Sequence, residues 1–67
     1  MEALFIEQRR AGYSPKQCGN TITVSELISL LMEYDEETPV YIKNDNGYTF
    51  GNIQADSITE ENREDFD

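Results

Sequence analysis

A helix start in the middle of the chain constrains the fold more than any other feature of the sequence. Thr23 and Glu26 have the spacing of a capping box, in which the Thr23 hydroxyl accepts from the Glu26 amide and the Glu26 carboxylate reaches back to Thr23. Apolar residues then recur at intervals of three and four, which is typical of an amphipathic helix. They are Val24, Leu27, Ile28, Leu31 and Tyr34. We predict a helix over about residues 24–34, ending before Pro39, with Leu27, Ile28 and Leu31 in the core.

Beyond Pro39 the apolar residues alternate with polar ones, which is typical of strands. One alternating run covers residues 40–43 and a second resumes at residues 48–50. Asn46 and Gly47 lie between the two runs and predict a hairpin with a two-residue type I′ turn. Gly51 in the second run indicates a bulge or the end of the strand. The apolar run 3–6 predicts a third strand, and residues 11–21 predict a loop.

Together these elements predict a single α+β domain over residues 1–55 with the order β-α-β-β. One amphipathic helix is expected to pack on a three-stranded, mainly antiparallel sheet. Residues 56–67 form an acidic tail whose composition is close to that of disordered segments. Ser57 and Glu60 have the spacing of a second capping box, so the tail is expected either to begin with a short helix or to be disordered.

Charge is distributed unevenly along the 67 residues, whose formal net charge is −9. Residues 1–20 carry two acids and three bases, whereas residues 21–67 carry twelve acids and two bases. This balance argues against free binding to nucleic acid or to an anionic membrane, because both need a basic surface. The apolar runs are too short for a membrane span, and the N-terminus lacks the pattern of a secretory signal. With the lone Cys18, these features predict a cytoplasmic protein.

The sequence gives little support for a catalytic site or a metal site. Without histidine, neither a zinc site of the usual kind nor a histidine-activated nucleophile can be built within one chain. The segment 44–47 invites comparison with a calcium loop, but Ile42 and Ile53 stand where the anchoring carboxylates would be needed. We therefore expect no enzyme activity, no catalytic residue, no metal and no cofactor.

The acidic surface is the first candidate for function. Carboxylates spaced over a small rigid body can occupy a cleft built for phosphates, because the lysines and arginines of such a cleft attract any negative charge. The candidate partner-binding residues are Glu33, Asp35, Glu36, Glu37, Asp56, Glu60, Glu61, Glu64 and Asp65. The alternative is that the acidity only keeps a small protein soluble.

A basic loop near the N-terminus, residues 8–16, is the second candidate. Its arginines, lysine and hydroxyl groups offer contacts to phosphate, and its tyrosine offers a ring that can stack on a base. The candidate nucleotide-binding residues are Arg9, Arg10, Tyr13, Ser14 and Lys16. The alternative is a surface loop whose arginines pair with acids of the same chain.

Three stretches of the chain resemble a family of short acidic proteins encoded by phages, prophages and conjugative elements of gut Gram-positive bacteria. They are QCGNTITVSELI at 17–28, YDEETPVY at 34–41 and DNGYTFG at 45–51, within a resemblance that spans roughly residues 5–55. The resemblance implies a setting, namely an accessory protein of a mobile element that acts in a bacterial cytoplasm. It carries no catalytic or binding residue over to this chain.

The implied mobile-element origin and the acidic composition together lead to three functional hypotheses. The first is an inhibitor of host defence, like an anti-CRISPR protein, that docks its acidic surface on a basic groove of a nuclease or effector. The second is an oligomeric sponge that sequesters a nucleotide immune signal through Arg9, Arg10 and Lys16. The third is a small adaptor with incidental acidity. In each case a three-stranded sheet has edges that need covering, so we expect a homodimer or higher oligomer formed through a sheet edge or the open face of the sheet.

Overall fold

One helix and a three-stranded sheet, in the order β-α-β-β, make up the computed structural model, which describes residues 2–66. The elements are β1 (Leu4–Glu7), α1 (Val24–Leu31), β2 (Val40–Asn44) and β3 (Thr49–Asn52). Short 3₁₀ turns lie at Pro15–Cys18, Asp45–Gly47, Ala55–Ser57 and Arg63–Phe66. The predicted α+β class and the order of its elements are confirmed.

The sheet has β2 at its centre, parallel to β1 and antiparallel to β3. Leu4 lies opposite Val40 in the parallel pair, and Asn44 lies opposite Thr49 in the antiparallel pair. The sheet is therefore mixed rather than mainly antiparallel. The segment between β1 and β2 contains α1 and is long enough for the crossover that a parallel pair requires.

The predicted hairpin between β2 and β3 is confirmed, but its connection is longer than the predicted two-residue turn. Residues 45–48 form the loop, and the Tyr48 amide donates to the Asp45 carbonyl at 3.1 Å. Three consecutive residues have left-handed backbones, with φ of 49° at Asp45, 56° at Asn46 and 93° at Gly47. Asp, Asn and Gly tolerate this region better than other residues do, so the whole segment adopts the turn. Gly51 lies within β3, one residue before its end.

Helix α1 begins at the predicted capping box. The Glu26 amide donates to the Thr23 hydroxyl at 3.3 Å, and the Thr23 amide donates to the Glu26 carboxylate at 3.0 Å. The helix ends at Leu31 rather than at Tyr34, because its last amides donate three residues back instead of four. Glu33 donates to the Leu30 carbonyl and Tyr34 to the Leu31 carbonyl. This tightening is a common way for a helix to end.

The two faces of the sheet are both apolar but differ in chemistry. Leu4, Ile6, Val40 and Ile42 alternate onto one face, which we call the aliphatic face. Phe5, Tyr41 and Phe50 alternate onto the opposite one, which we call the aromatic face. Helix α1 is on the aliphatic side, where Ile28 and Leu31 border an open cleft of about 610 Å³ together with Leu4 and Val40.

The predicted core does not form within a single chain. Leu27, Ile28 and Leu31 are 38%, 52% and 38% exposed, and no side chain described in the structure is fully enclosed. The predicted packing of α1 on the sheet is not extensive either, since the close contacts between elements are those of the strand pairs and turns, and α1 makes few with any other element. The radius of gyration is 13.6 Å, compared with about 11 Å for a compact domain of this length.

The chain beyond β3 returns to the basic loop. Ser57 accepts a hydrogen bond from the Gln54 amide at 3.2 Å and so closes the turn Ala55–Ser57, instead of starting a capping box with Glu60 as predicted. The following turn, Arg63–Phe66, contacts the turn Pro15–Cys18. The acidic tail thus lies against the basic loop. None of the helices in the described part of the chain is long and apolar enough to cross a membrane.

Candidate functional site

Four carboxylates cluster between the end of α1 and the start of β2, in a segment that we call the acidic turn. Its acids are Glu33, Asp35, Glu36 and Glu37, and all four are exposed. The Asp35 carboxylate accepts from the Glu37 amide at 2.9 Å, and the Asp35 carbonyl accepts from the Thr38 amide at 3.0 Å. Pro39 then ties the segment to the sheet, because its carbonyl accepts from the Leu4 amide at 2.9 Å. The backbone that carries these acids is therefore held at both ends.

A further acid, Glu2, joins this cluster and was missed by the sequence reasoning. It borders the same surface depression as Asp35, Glu37 and Thr38. The parallel register explains its position, since Leu4 pairs with Val40 and the residues before both strands come to the same end of the sheet. The signal was present in the sequence as an acid before β1, but only the parallel pairing brings it to the acidic turn.

The acids of the tail lie in a different place from the acidic turn. Glu64 borders a depression formed with Pro15, Lys16 and Arg63, on the side of the basic loop. The remaining tail acids that we singled out, Asp56, Glu60, Glu61 and Asp65, are exposed. Within the tail, the Thr59 hydroxyl donates a 2.7 Å hydrogen bond to the Glu61 carboxylate. The nine acids predicted as one surface therefore form at least two separate groups.

The arginines of the basic loop are engaged by acids of the same chain. Arg9 lies 3.6 Å from the Glu7 carboxylate, and Arg10 lies 3.6 Å from the Asp45 carboxylate. The alternative that we stated for this loop, in which its arginines pair with the chain's own acids, is the arrangement observed. These exposed pairs contribute little to stability, but they place Arg10 against the hairpin loop.

The five candidate nucleotide-binding residues are not gathered into one depression. Arg10 and Tyr13 border one depression, and Tyr13 is fully exposed there. Lys16 borders another depression, beside the tail. Ser14 lies between them, and its carbonyl accepts from the Gln17 amide at 3.1 Å. The described residues of one chain therefore place a cation beside an aromatic ring, but they do not form a closed phosphate site.

Local contacts hold the basic loop against the residues that directly follow it. The Gln17 side-chain oxygen accepts from the Tyr13 amide at 2.8 Å. Gly12 permits this, because a Cβ at that position would collide with the Gln17 side chain. Cys18 is exposed, and its thiol lies 3.6 Å from the Ser14 carbonyl. Among residues 2–66, no group of three His, Cys, Asp or Glu side chains is placed to hold a metal ion.

Glu26 has a perturbed ionisation equilibrium with a structural cause. The hydrogen bond from the Thr23 amide, followed by the one from the Thr23 hydroxyl, lowers the pKa of the Glu26 carboxyl. Both donors belong to the helix cap, so this shift reflects the hydrogen bonds at the start of α1.

Comparisons of the chain with protein-family models, with curated proteins and with solved structures give no match. Its function therefore has to be argued from the surfaces themselves. The acidic turn is the candidate with the best-defined geometry, because its backbone is fixed by hydrogen bonds.

Proposed function

We propose that this chain is a non-enzymatic accessory protein of a phage or another mobile element, acting in the cytoplasm of a bacterial host. In this proposal it inhibits host defence by placing its acidic turn in a basic groove of a nuclease or effector, where nucleic acid would otherwise bind. Carboxylates attract the lysines and arginines of such a groove as phosphates do.

The observation that carries the proposal is the fixed backbone of the acidic turn. Its acids lie between the last turn of α1 and the first residue of β2, and the Asp35 carboxylate and carbonyl hold the Glu37 and Thr38 amides. A flexible acidic segment would lose conformational freedom on binding and so lose affinity. A preformed turn avoids much of that cost.

The distribution of ion pairs also supports the acidic turn as the binding surface. Ion pairs between described residues use the carboxylates of Glu7 and Asp45 and leave the acidic turn out. Glu2 adds a fifth carboxylate at the rim of the turn. An exposed cluster of one sign accelerates association with an oppositely charged groove, and added salt weakens this effect.

The proposal is tested by neutralising the acidic turn and, as a matched control, the tail. One triple variant carries Asp35→Asn, Glu36→Gln and Glu37→Gln; the other carries Asp56→Asn, Glu60→Gln and Glu61→Gln. Both remove three negative charges, but only the first removes them from the fixed turn. The variants and the parent protein are expressed in host strains that each carry one defined defence system, and phage plating efficiency is measured.

We expect the parent protein to restore plating in at least one strain and the acidic-turn variant to lose most of that effect. The tail variant should retain more of the restored plating efficiency. With the purified target, the acidic-turn variant should associate about 10-fold more slowly or worse and show a flatter salt dependence. No rescue in any strain, or equal loss in both variants, would contradict a role for the fixed turn.

A second candidate function is supported by one observation, the shared depression of Arg10 and Tyr13. An arginine next to an exposed aromatic ring can bind phosphate and stack on a base. Such a sponge needs further subunits to bring several basic loops together, since one chain leaves Lys16 at a separate depression. Equilibrium dialysis against cyclic dinucleotides tests it, with Arg9→Ala and Arg10→Ala as the disabling pair and the acidic-turn variant as control.

The two sets of substitutions also address the third hypothesis. If neither the arginine pair nor the acidic-turn variant changes any host or binding phenotype, the acidity serves solubility and the chain is best described as an adaptor.

A further inference from the structure

The aromatic face of the sheet is an organised apolar surface that the described part of the chain leaves about half exposed. The Phe5 ring stacks with the Tyr41 ring at a centroid distance of 5.9 Å and meets the Phe50 ring at 5.8 Å. Phe5, Tyr41 and Phe50 are nevertheless 46%, 39% and 55% exposed. Phe5 therefore contacts both of the other rings, and a large part of each ring still remains exposed.

Among the described helices and strands, none packs extensively on this face. Sheets whose two faces are both apolar need a layer on each side. Helix α1 lies on the aliphatic side, where it borders the cleft with Leu4 and Val40. Apart from the strand pairs, the described elements with several mutual contacts are the hairpin turn with its two strands and the turns Pro15–Cys18 and Arg63–Phe66.

The accessible area of the chain shows how much surface is left to cover. It measures 6530 Å², whereas a folded monomer of this mass exposes about 4,300 Å². The excess of about 2,200 Å² is well above the roughly 800 Å² that each partner buries in a standard interface. This excess is spread over the whole chain, including α1 and the tail, and it is large enough to include a subunit interface.

The charges on the aromatic face are suited to pairing with a copy of itself. Glu7 and Lys43 lie in register on β1 and β2, on the same face as the rings. The Lys43 ammonium lies 5.1 Å from the centre of the Phe5 ring. Each copy therefore presents one anion and one cation beside the rings, although the whole chain has a net charge of −9. Arg9 of the same chain also lies 3.6 Å from the Glu7 carboxylate, in an exposed pair that a partner's lysine can join or replace. Under a two-fold axis, the Glu7 of each copy can meet the Lys43 of the other.

We propose that two copies of this chain associate through their aromatic faces, sheet against sheet, around a two-fold axis. Phe5, Tyr41 and Phe50 of both copies form the shared core, and reciprocal Glu7–Lys43 pairs fix the alignment. Isologous two-fold dimers are the commonest oligomers, and packed sheets place their facing side chains in one interdigitated layer. The dimer leaves both α1 helices on the outside of the assembly. The inference is independent of the proposed function.

A charge-exchange experiment tests both the partner and the alignment. Glu7→Lys and Lys43→Glu are made in separate chains, one of them labelled with ¹⁵N so that native mass spectrometry separates the species. Each variant alone places like charges across the proposed interface, so its homodimer should dissociate about 10-fold more readily than that of the parent chain. Mixing the two restores both interchain pairs, so heterodimer should exceed its statistical proportion.

A matched pair of neutral substitutions tests the rings. Tyr41→Ser with Phe50→Ser should raise the dimer dissociation constant about 100-fold in sedimentation measurements, because aromatic anchors dominate interfaces. Tyr48→Ser is the control, since that ring is 86% exposed in the hairpin loop and outside the face. It should leave the dissociation constant unchanged.

Isotope-filtered NMR on mixed labelled and unlabelled parent chain keeps the proposal testable if the double variant unfolds. We expect interchain contacts between the rings of Phe5, Tyr41 and Phe50. The proposal is overturned by a monomer at about 500 µM protein, by statistical mixing of the charge variants, or by interchain contacts from these rings to α1. The last result would mean that the helix of the second copy covers the face.

Discussion

The first turn of α1 and the aromatic face of the sheet differ in where their partners are found. Thr23 and Glu26 are three residues apart, and the side chain of each accepts a hydrogen bond from the backbone amide of the other, at 3.3 and 3.0 Å. Phe5, Tyr41 and Phe50 come from three different strands, and they remain about half exposed even after they have met. The helix cap is complete in one chain, and the aromatic face is not.

This difference shows which parts of the fold depend on concentration. A capping box depends only on nearby residues, so it forms whenever the helix does. Burial of the aromatic rings is the larger free-energy term, but it needs a surface that the chain does not supply. We therefore expect the free energy of unfolding to have two contributions, one that is independent of protein concentration and one that depends on dimer formation.

The largest expected effect comes from removing Phe5, the ring that contacts both other rings of the aromatic face. Phe5→Ala should destabilise the protein by about 3–5 kcal/mol per chain if a second copy covers the ring. Urea unfolding at high protein concentration measures it, with Tyr48→Ala as a control that should change the free energy of unfolding by less than about 0.5 kcal/mol. A loss below about 1 kcal/mol for Phe5→Ala would mean that the ring stays exposed to solvent.

The concentration dependence of thermal unfolding separates the two parts more directly. For a dimer, each tenfold rise in protein concentration should stabilise the folded state by about 1.4 kcal/mol of dimer and raise the Tm by a few degrees. Differential scanning calorimetry from about 10 to about 500 µM tests this expectation. A Tm that does not change with concentration would assign all of the stability to the single chain.

The order of the elements was predictable because its signals are local. The capping box places the start of α1, and the Asn46–Gly47 pair between two alternating runs places the hairpin. The parallel pairing of β1 with β2 had no local signal, since it depends on how the chain crosses over between residues 8 and 39. The predicted core failed for a related reason. Periodicity shows which side of α1 is apolar, but it does not show whether one chain can cover that side.

The candidate site was predictable to a similar degree. The acids of residues 33–37 are adjacent in sequence, so they cluster in any fold that ends a helix there. Glu2 lies near them only because of the parallel register of β1 and β2. The tail acids lie elsewhere, because the tail turns back toward Pro15–Cys18. The pairing of Arg10 with Asp45 also joins distant segments and was anticipated only as a general alternative.

The helix cap should give a smaller effect that is independent of concentration. Thr23→Ala removes the acceptor of the Glu26 amide and should cost about 0.5–2 kcal/mol. Thr21→Ala, two residues earlier and outside the cap, is the matched control and should change stability by less than about 0.5 kcal/mol. Urea unfolding at low and high protein concentration should give the same loss for Thr23→Ala. A loss that grows with concentration would place the cap in the subunit interface.

The smallest effect is the pH dependence of the cap. Hydrogen bonds from Thr23 lower the pKa of Glu26 in the folded state from its ordinary value of 4.5. A carboxyl whose folded pKa is depressed stabilises the protein above its unfolded pKa, and this contribution is lost as the pH falls through the folded value. Glu26→Gln keeps an oxygen acceptor at the same position but does not titrate, and the other carboxyls titrate alike in both proteins. The stability advantage of the parent chain over Glu26→Gln, measured by urea unfolding, should therefore be constant above about pH 5 and shrink as the pH falls below it. An advantage that stays constant into acid, or that grows there, would show that the ionised carboxylate does not hold the cap.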